Sequence, residues 1–169
     1  MRSAVLLVLA AFVTACDSGR PSSPASGGLE AGLEVRFPVA VGRSVVRLRL
    51  AVTDLEKARG LMGAELLAED EGMAFLYQQD QRLAFWMKDT PQDLDIGFVD
   101  GAGVVREIRT MKAFDQTTVE SRGESLRLAV EMRAGWFARS GVGVGDKLDV
   151  EALRRGLTAR GFDSSRYLP

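Results

Sequence analysis

The chain has 169 residues, with 22 basic and 23 acidic side chains, a formal net charge of −1, one cysteine and no histidine. This near balance of charge argues against a nucleic-acid-binding surface, which needs a basic excess on one face. One cysteine excludes an intrachain disulfide, and a chain without histidine lacks the side chain that most often serves as general base or metal ligand.

The first 15 residues have the features of a secretory signal. Arg2 supplies a positive charge, residues 4–13 form an apolar run too short to span a membrane, and small residues precede Cys16. The sequence Val-Thr-Ala-Cys resembles the bacterial lipoprotein box, in which cleavage before the cysteine leaves it acylated. We therefore predict an exported protein anchored to the membrane by lipid on Cys16, with an ordinary cleaved signal as the alternative. Asp17 resembles a signal for retention at the inner membrane, on its periplasmic face, although the leaflet stays open.

The rest of the chain divides into three parts. Residues 16–32 are rich in Ser, Gly and Pro and predict a flexible tether that follows the acylated cysteine. Residues 33–150 have the length of a single globular domain. Residues 151–169 form a C-terminal extension whose pattern favours a helix, although Gly156 weakens it.

Alternating apolar residues begin the domain. The alternation over Leu33–Val41 predicts a half-buried strand, and Pro38 within it predicts an edge or bulged strand. Residues 46–52 alternate again after a short turn, which predicts a hairpin.

A short helix is predicted next. Thr53 and Glu56 have the spacing of a capping box, in which each side chain accepts a hydrogen bond from the other residue's backbone N–H. The helix is predicted to carry Arg59 and to end at Gly60.

Short apolar runs separated by turn residues fill the remainder of the domain. They predict strands at Met73–Tyr77, Leu83–Met87, Ile96–Val99, Val104–Ile108, Leu126–Met132 and Leu148–Val150. A tight turn at residues 100–103 joins the third and fourth of these. The predicted fold is a single compact α+β domain with a strongly bent, mostly antiparallel, barrel-like sheet and a few short helices.

Several motifs together carry a family resemblance. They are RGLMG (59–63), DEGMAF (70–75), FWMKDT (85–90), LDIGFVD (94–100), AVEMRAGWF (129–137) and GVGVGD (141–146). In this order and spacing they resemble the domain-of-unknown-function 192 family, also called UPF0127, over residues 45–150. The resemblance implies a compact α+β domain with a bent sheet. Members of that family are often exported, and no activity is established for the family.

The sequence departs from the family pattern at three points. Asp89 stands where the family usually has asparagine, Ala74 stands where it has leucine, and a proline expected soon after Met111 is missing. An aspartate keeps an acceptor but loses the amide donor, so any family ligand held through that amide is in doubt here.

A ligand-binding site is predicted around FWMKDT. If Phe85 and Met87 face inward, strand alternation places Trp86 and Lys88 on the opposite face. A tryptophan beside a cation and an acceptor is typical of sites that recognise a polar ring or an anionic group. The candidate ligand-binding residues are Arg59, Trp86, Lys88, Asp89, Thr90, Asp95 and Glu131.

Two structural alternatives apply to the same residues. In the first, Trp86 covers the open end of the barrel-like sheet, and Lys88 and Asp95 form a modest ion pair. An inward-pointing Glu131 would need a partner such as Arg59, since an unpaired buried charge is costly.

Other chemistries have weaker support. Paired carboxylates would suit a histidine-independent hydrolase of the envelope, with candidates Asp89, Asp95, Asp100 and Glu131. The methionines at 62, 73, 87, 111 and 132 would suit Cu(I), but adaptable core packing explains them better. A calcium site at residues 93, 95 and 100 matches no EF-hand spacing. We predict neither cofactor nor metal.

The sequence therefore predicts a lipid-anchored envelope protein that binds a small molecule or acts as an accessory module, and it favours a non-enzymatic role over an enzyme. The partner is an unknown small molecule or an envelope protein, and no nucleic acid. The alternatives are the carboxylate hydrolase and a protein-interaction scaffold without a small-molecule site.

Overall fold

A computed structural model describes residues 32–168. The predicted signal peptide, the predicted lipidation site at Cys16 and nearly all of the predicted tether lie outside the described residues. Within the described part, no helix is both long and apolar enough to cross a membrane.

The domain is built around a six-stranded sheet. Its elements are β1 Phe37–Val41, β2 Ser44–Ala51, α1 Asp54–Arg59, β3 Glu71–Gln81, β4 Ala84–Phe85, β5 Leu94–Val99, β6 Val105–Met111, β7 Val119–Glu120, β8 Leu126–Arg133, α2 Trp136–Arg139, α3 Val150–Ala159 and a 3-10 turn Ser164–Arg166. The sheet order is β1-β2-β3-β8-β5-β6, and β4 pairs separately with β7. The predicted α+β class is confirmed.

The first two strands form the predicted hairpin. β1 and β2 pair antiparallel, from Phe37 opposite Leu48 to Val41 opposite Ser44. β1 lies at one edge of the sheet, as Pro38 predicted, because a proline has no N–H to donate to a second neighbour. The strand begins at Phe37 rather than at Leu33, whose buried side chain joins the core from outside the sheet.

Helix α1 makes one pair of strands parallel. Thr53 and Glu56 form the predicted capping box, and the helix ends at Gly60, whose N–H bonds to the Glu56 carbonyl. A helix between two strands returns the chain to the starting end of the sheet, so β3 runs parallel to β2. The other pairs in the sheet are antiparallel.

The sheet is open, so the barrel-like closure expected from the sequence is wrong. β1 and β6 are its two edges. Residues 147 and 148 nevertheless reach both sides, through isolated bridges from Leu148 to Val41 of β1 and from Lys147 to Val104, the residue before β6. The predicted strand over residues 148–150 is also wrong, because Asp149 caps α3 by accepting a hydrogen bond from the Ala152 N–H at 3.0 Å.

Both faces of the sheet are buried, each in its own core. The helix face, as we call the side that α2 and α3 cover, carries alternate strand residues such as Leu50, Val130 and Met132. The opposite side, which we call the cleft face because a cleft described below opens on it, carries the residues between them, such as Phe75 and Phe98, beneath the loops around β4. Period-two alternation thus decides on which side of the molecule each strand residue lies.

Helix α3 packs tightly on the helix face. Leu153 and Leu157 are fully buried there. Gly156 lies so close to β2 that a Cβ atom would stand 2.7 Å from the Leu50 side chain. The glycine that weakens the helical pattern therefore permits the helix to approach the sheet.

A buried ion pair connects α3 to α1. The Glu56 carboxylate accepts hydrogen bonds from the N–H groups of Val52 and Thr53, both at 2.9 Å, and from Arg160 at 2.5 Å. Arg160 also donates to the Leu50 carbonyl. Burial opposes ionisation of Glu56, but these hydrogen bonds and the Arg160 charge outweigh it and hold the pKa of Glu56 below its usual range.

Replacing Glu56 by alanine is expected to lower the free energy of unfolding by about 3–5 kcal/mol, because Arg160 is then buried without its partner. Urea-induced unfolding measures the change. Glu151→Ala is the matched control, since Glu151 is an exposed glutamate on α3 paired with Arg154, and its loss is expected to cost below about 1 kcal/mol. Equal losses in the two variants would contradict the prediction.

Candidate functional site

The FWMKDT segment is a tethered turn rather than a strand. Only Phe85 of the motif lies in β4, and the predicted strand over residues 83–87 shrinks to two residues. The expected alternation is confirmed, because Phe85 and Met87 are buried whereas Trp86 and Lys88 are exposed. Lys88 Nζ lies 5.5 Å from the Trp86 ring centroid, which is within cation–π range.

Backbone hydrogen bonds hold this turn from both sides. The Gly63 N–H donates to the Asp89 carbonyl at 2.8 Å, and the Phe114 N–H donates to the Thr90 carbonyl at 3.1 Å. Asp89 has φ +53, in the left-handed region that asparagine and aspartate tolerate better than most residues. Both the family's asparagine and the aspartate found here suit that backbone conformation.

A cleft of about 160 Å³ opens on the cleft face beside this turn. It is lined by residues 57–62 of α1 and its following turn, Phe75 and Tyr77 of β3, residues 84–86, Thr90, and Glu131 of β8. Four of the predicted site residues, Arg59, Trp86, Thr90 and Glu131, are therefore brought together from distant parts of the chain.

Glu131 is the most unusual residue of the cleft. It sits on the central strand β8, between Met73 of β3 and Ile96 of β5, and is 4% exposed. Burial raises its pKa to about 8. No described residue makes a hydrogen bond or ion pair with its carboxyl group, so the partnership with Arg59 considered from the sequence does not form. At neutral pH the carboxyl group is protonated.

Two polar lining residues, Lys57 and Tyr77, were missed by sequence reasoning. Burial raises the pKa of Tyr77 to about 12, with the nearby Glu131 adding to the effect. Lys57 Nζ lies 4.6 Å from the Tyr77 ring centroid and 3.0 Å from Asp54. Both residues lie outside the family motifs. For Lys57 the sequence offered one signal, its position two residues before Arg59 on the same short helix.

The remaining predicted site residues lie elsewhere. Asp95 projects from the helix face, opposite Met132, where it accepts hydrogen bonds from the Thr110 hydroxyl and the Gly135 N–H, both at 2.7 Å. It therefore positions the turn before α2 and does not pair with Lys88. Neither Lys88 nor Asp89 lines the cleft.

The carboxylates considered for hydrolysis are not assembled either. Asp95 and Glu131 project from opposite faces of the sheet, and Asp100 stabilises its own turn by accepting from the Ala102 and Val104 N–H groups at 2.9 Å. Glu131 is the sole carboxyl group among the described lining residues.

In the described part of the chain, most of the methionines considered for Cu(I) are core residues, and the acidic side chains form no group that could hold a metal ion. Met73, Met87, Met111 and Met132 are buried in the two cores, which agrees with the packing interpretation. Among residues 32–168, no group of three or more acidic side chains lies close enough to hold a metal ion.

A larger surface depression, of about 620 Å³, lies near the turn at Asp100. Its charged residues are already paired with one another or with neighbours, as in Arg106 with Asp100 at 2.6 Å and Arg127 with Asp80 at 2.8 Å. The smaller cleft, with its unpartnered Glu131, therefore offers the more specific chemistry.

Comparison with known proteins identifies the domain but not its activity. The model of the DUF192 family, described as Uncharacterized ACR, matches residues 38–150. A crystal structure of a protein of unknown function from Novosphingobium aromaticivorans is 33% identical, covers 83% of this chain and 99% of its own, and superimposes with a TM-score of 0.64.

A second structure, from Sinorhizobium meliloti, carries the description of a candidate transcription regulator. It is 29% identical, covers 68% of this chain and 93% of its own, and has a TM-score of 0.65. No curated protein matches the chain significantly. A shared fold does not by itself establish a shared function.

The raised pKa of Glu131 predicts a pH-dependent stability. Between its ordinary value of 4.5 and about 8, the folded protein keeps a proton that the unfolded chain has lost. The free energy of unfolding therefore falls across this range, by on the order of 5 kcal/mol. Above about pH 8 the loss is complete, and Glu131 adds no further pH dependence. Thermal unfolding of Glu131→Gln should lack this component, so the variant should be more stable than the wild type at pH 8 and lose its advantage towards pH 4.5. Parallel stability profiles of the two proteins would refute the assignment.

Proposed function

Because the chain belongs to the DUF192 family, whose description names no activity, we infer its function from the cleft and propose that it is a small-molecule binding module. The observation that carries this proposal is the unpartnered Glu131 carboxyl group in the lining of the cleft. A carboxyl group in the middle of a sheet costs stability unless it has a partner. Such a residue at a concave site is typical of a binding or catalytic group.

The rim of the cleft supports the same proposal. Trp86 is 46% exposed although it borders a concave surface, so its ring offers apolar area that a ligand would cover. The turn that carries it is fixed by backbone hydrogen bonds on both sides, so little ordering entropy remains to be lost on binding. Lys57 and Arg59 of α1 also line the cleft.

No specific observation favours the other two functions considered from the sequence. A hydrolase with two carboxylates needs a second acid near Glu131, and the described lining supplies none. A scaffold would need an extended apolar surface, whereas the cleft is a small concavity with polar groups.

We further propose that the module is exported and held at the bacterial cell envelope by lipid on Cys16. The motivating pattern is the short apolar run followed by small residues and the chain's one cysteine. Two or more acyl chains on this residue would make the attachment durable. Asp17 favours the periplasmic face of the inner membrane.

The binding proposal predicts that a screen of the domain, residues 32–169, against envelope saccharides, peptidoglycan fragments and small anions yields a ligand that raises the melting temperature. At about a hundredfold excess over the dissociation constant, the gain is about 2.7 kcal/mol. Trp86→Ala should abolish this shift without loss of fold. Phe114→Ala is the matched control, since Phe114 is an exposed aromatic outside the cleft lining. Unchanged affinity in Trp86→Ala would defeat the proposal.

The localisation proposal predicts that Cys16→Ser moves the full-length protein from the membrane fraction to the soluble or precursor form and removes metabolic labelling with palmitate. Ser18→Ala serves as the control, since it changes a nearby small residue without touching the cysteine. Full palmitate labelling of Cys16→Ser would disprove lipidation at this residue.

A further inference from the structure

We propose that the cleft binds one uncharged sugar ring, whose hydroxyl groups pair with Glu131 and Tyr77 and whose C–H face lies against Trp86. This inference rests on the small-molecule binding proposed above and names the chemical class of the ligand. The lining supports it with unpartnered hydrogen-bonding groups, basic side chains that are already engaged, and an exposed indole ring.

Two hydrogen-bonding groups of the lining have no partner among the described residues. The carboxyl group of Glu131 is one, although the residue is only 4% exposed. The hydroxyl group of Tyr77 is the other. Burial raises the pKa of this hydroxyl to about 12, and the nearby Glu131 adds to the effect, so the two groups face the same space. Because buried polar groups are normally hydrogen-bonded, an unpartnered pair in one concavity indicates a place for ligand atoms.

A hydroxyl group suits Glu131 in either protonation state. A protonated carboxyl group donates one hydrogen bond and accepts others, whereas a carboxylate only accepts. A sugar hydroxyl both donates and accepts, so it pairs with both forms. An anion would instead be repelled once Glu131 ionises, and an ammonium group would lack a countercharge while Glu131 is protonated. The match with a hydroxyl group therefore does not depend on the charge of Glu131.

The basic side chains of the lining do not require a charged ligand. Lys57 Nζ lies 3.0 Å from the Asp54 carboxylate and 4.6 Å from the Tyr77 ring centroid, so its charge already has partners. Arg59 is engaged as well. A charged ligand would lose hydration in the cleft without gaining an unpaired countercharge, and an uncharged ring avoids that cost.

Trp86 supplies the apolar side of the site. Its side chain lines the cleft and is 46% exposed, whereas the other aromatic walls, Phe75 and Phe85, are buried. A sugar ring carries hydroxyl groups around its edge and C–H groups on its faces, so it combines polar and apolar surface as this cleft does.

The size of the cleft limits the ligand to a single ring. Its volume of about 160 Å³ lies below the roughly 300–1,000 Å³ typical of sites for drug-sized molecules. A second ring would therefore extend out of the cleft into solvent.

Glycosides that differ in charge and in hydroxyl groups test the ligand class. Methyl glycosides of glucose, galactose, mannose and N-acetylglucosamine are titrated into the full-length chain by ligand-observed NMR. Methyl glucuronide, methyl glucosaminide and tetrahydropyran are titrated in parallel as the acidic, basic and hydroxyl-free rings. At least one uncharged glycoside is expected to bind at least about tenfold more tightly than each of these three rings, since each of them loses hydrogen bonds or carries a charge.

Variants of Glu131 separate binding from stability. Glu131→Gln keeps a group that donates and accepts, so it should retain most of the affinity. Glu131→Leu keeps a similar size but makes no hydrogen bond, so it should weaken binding at least about tenfold. The same variant should melt at a higher temperature than the wild type at pH 8, because it lacks the buried carboxyl group. Glu151→Gln, an exposed change on α3, should leave binding unaltered.

The outcomes separate this inference from the function on which it rests. Unchanged affinity in Glu131→Leu would overturn the pairing of Glu131 with a sugar hydroxyl. Tighter binding of the charged or hydroxyl-free rings, or a ligand found only outside the sugars, would overturn the sugar assignment; if that binding is lost in Trp86→Ala, the small-molecule module remains. Absence of Trp86-dependent binding for every glycoside and for the wider panel would overturn both proposals.

Discussion

The buried contact between Glu56 and Arg160 sets the geometry on which the cleft depends. The Glu56 carboxylate accepts hydrogen bonds from the N–H groups of Val52 and Thr53 at the start of α1. It also accepts one from the guanidinium of Arg160 at the end of α3. Such a group stabilises only because each of its oxygens is satisfied. Through it, the C-terminal extension, which lies beyond the family motifs, fixes the short helix that places Lys57 and Arg59 beside the cleft.

The two buried glutamates of the domain show how differently one residue type is used. Glu56 is ionised and fully engaged by backbone and side-chain donors, so it serves the fold. Glu131 lies in the middle of the sheet with no such donors and stays protonated at neutral pH, so it weakens the fold. Natural sequences tend to break local rules at functional sites. The contrast between the two residues, rather than burial alone, singles out Glu131.

Much of the fold follows from local patterns in the sequence, but the site follows only in part. The capping box, the edge strand at Pro38 and the alternation of Phe85 to Lys88 are decided by neighbouring residues, and the structure has each of them. The parallel pair of β2 and β3 and the open sheet depend on long-range pairing, which no local pattern encodes. The same limit explains Asp95. It was predicted as a ligand-binding residue beside FWMKDT, whereas the strand register turns its side chain to the helix face.

The two bridges made by residues 147 and 148 have a consequence for the order of folding. They join Val41 and Val104 to a segment much later in the sequence, so the two sides of the sheet are tied together by contacts of long sequence separation. Closing such loops costs entropy before any contact is gained, which makes these contacts late events. Because synthesis proceeds from the N-terminus, both edges stay open until residues 147 and 148 have been made. During that interval the unpaired backbone groups of β1 and β6 are exposed to pairing with other chains.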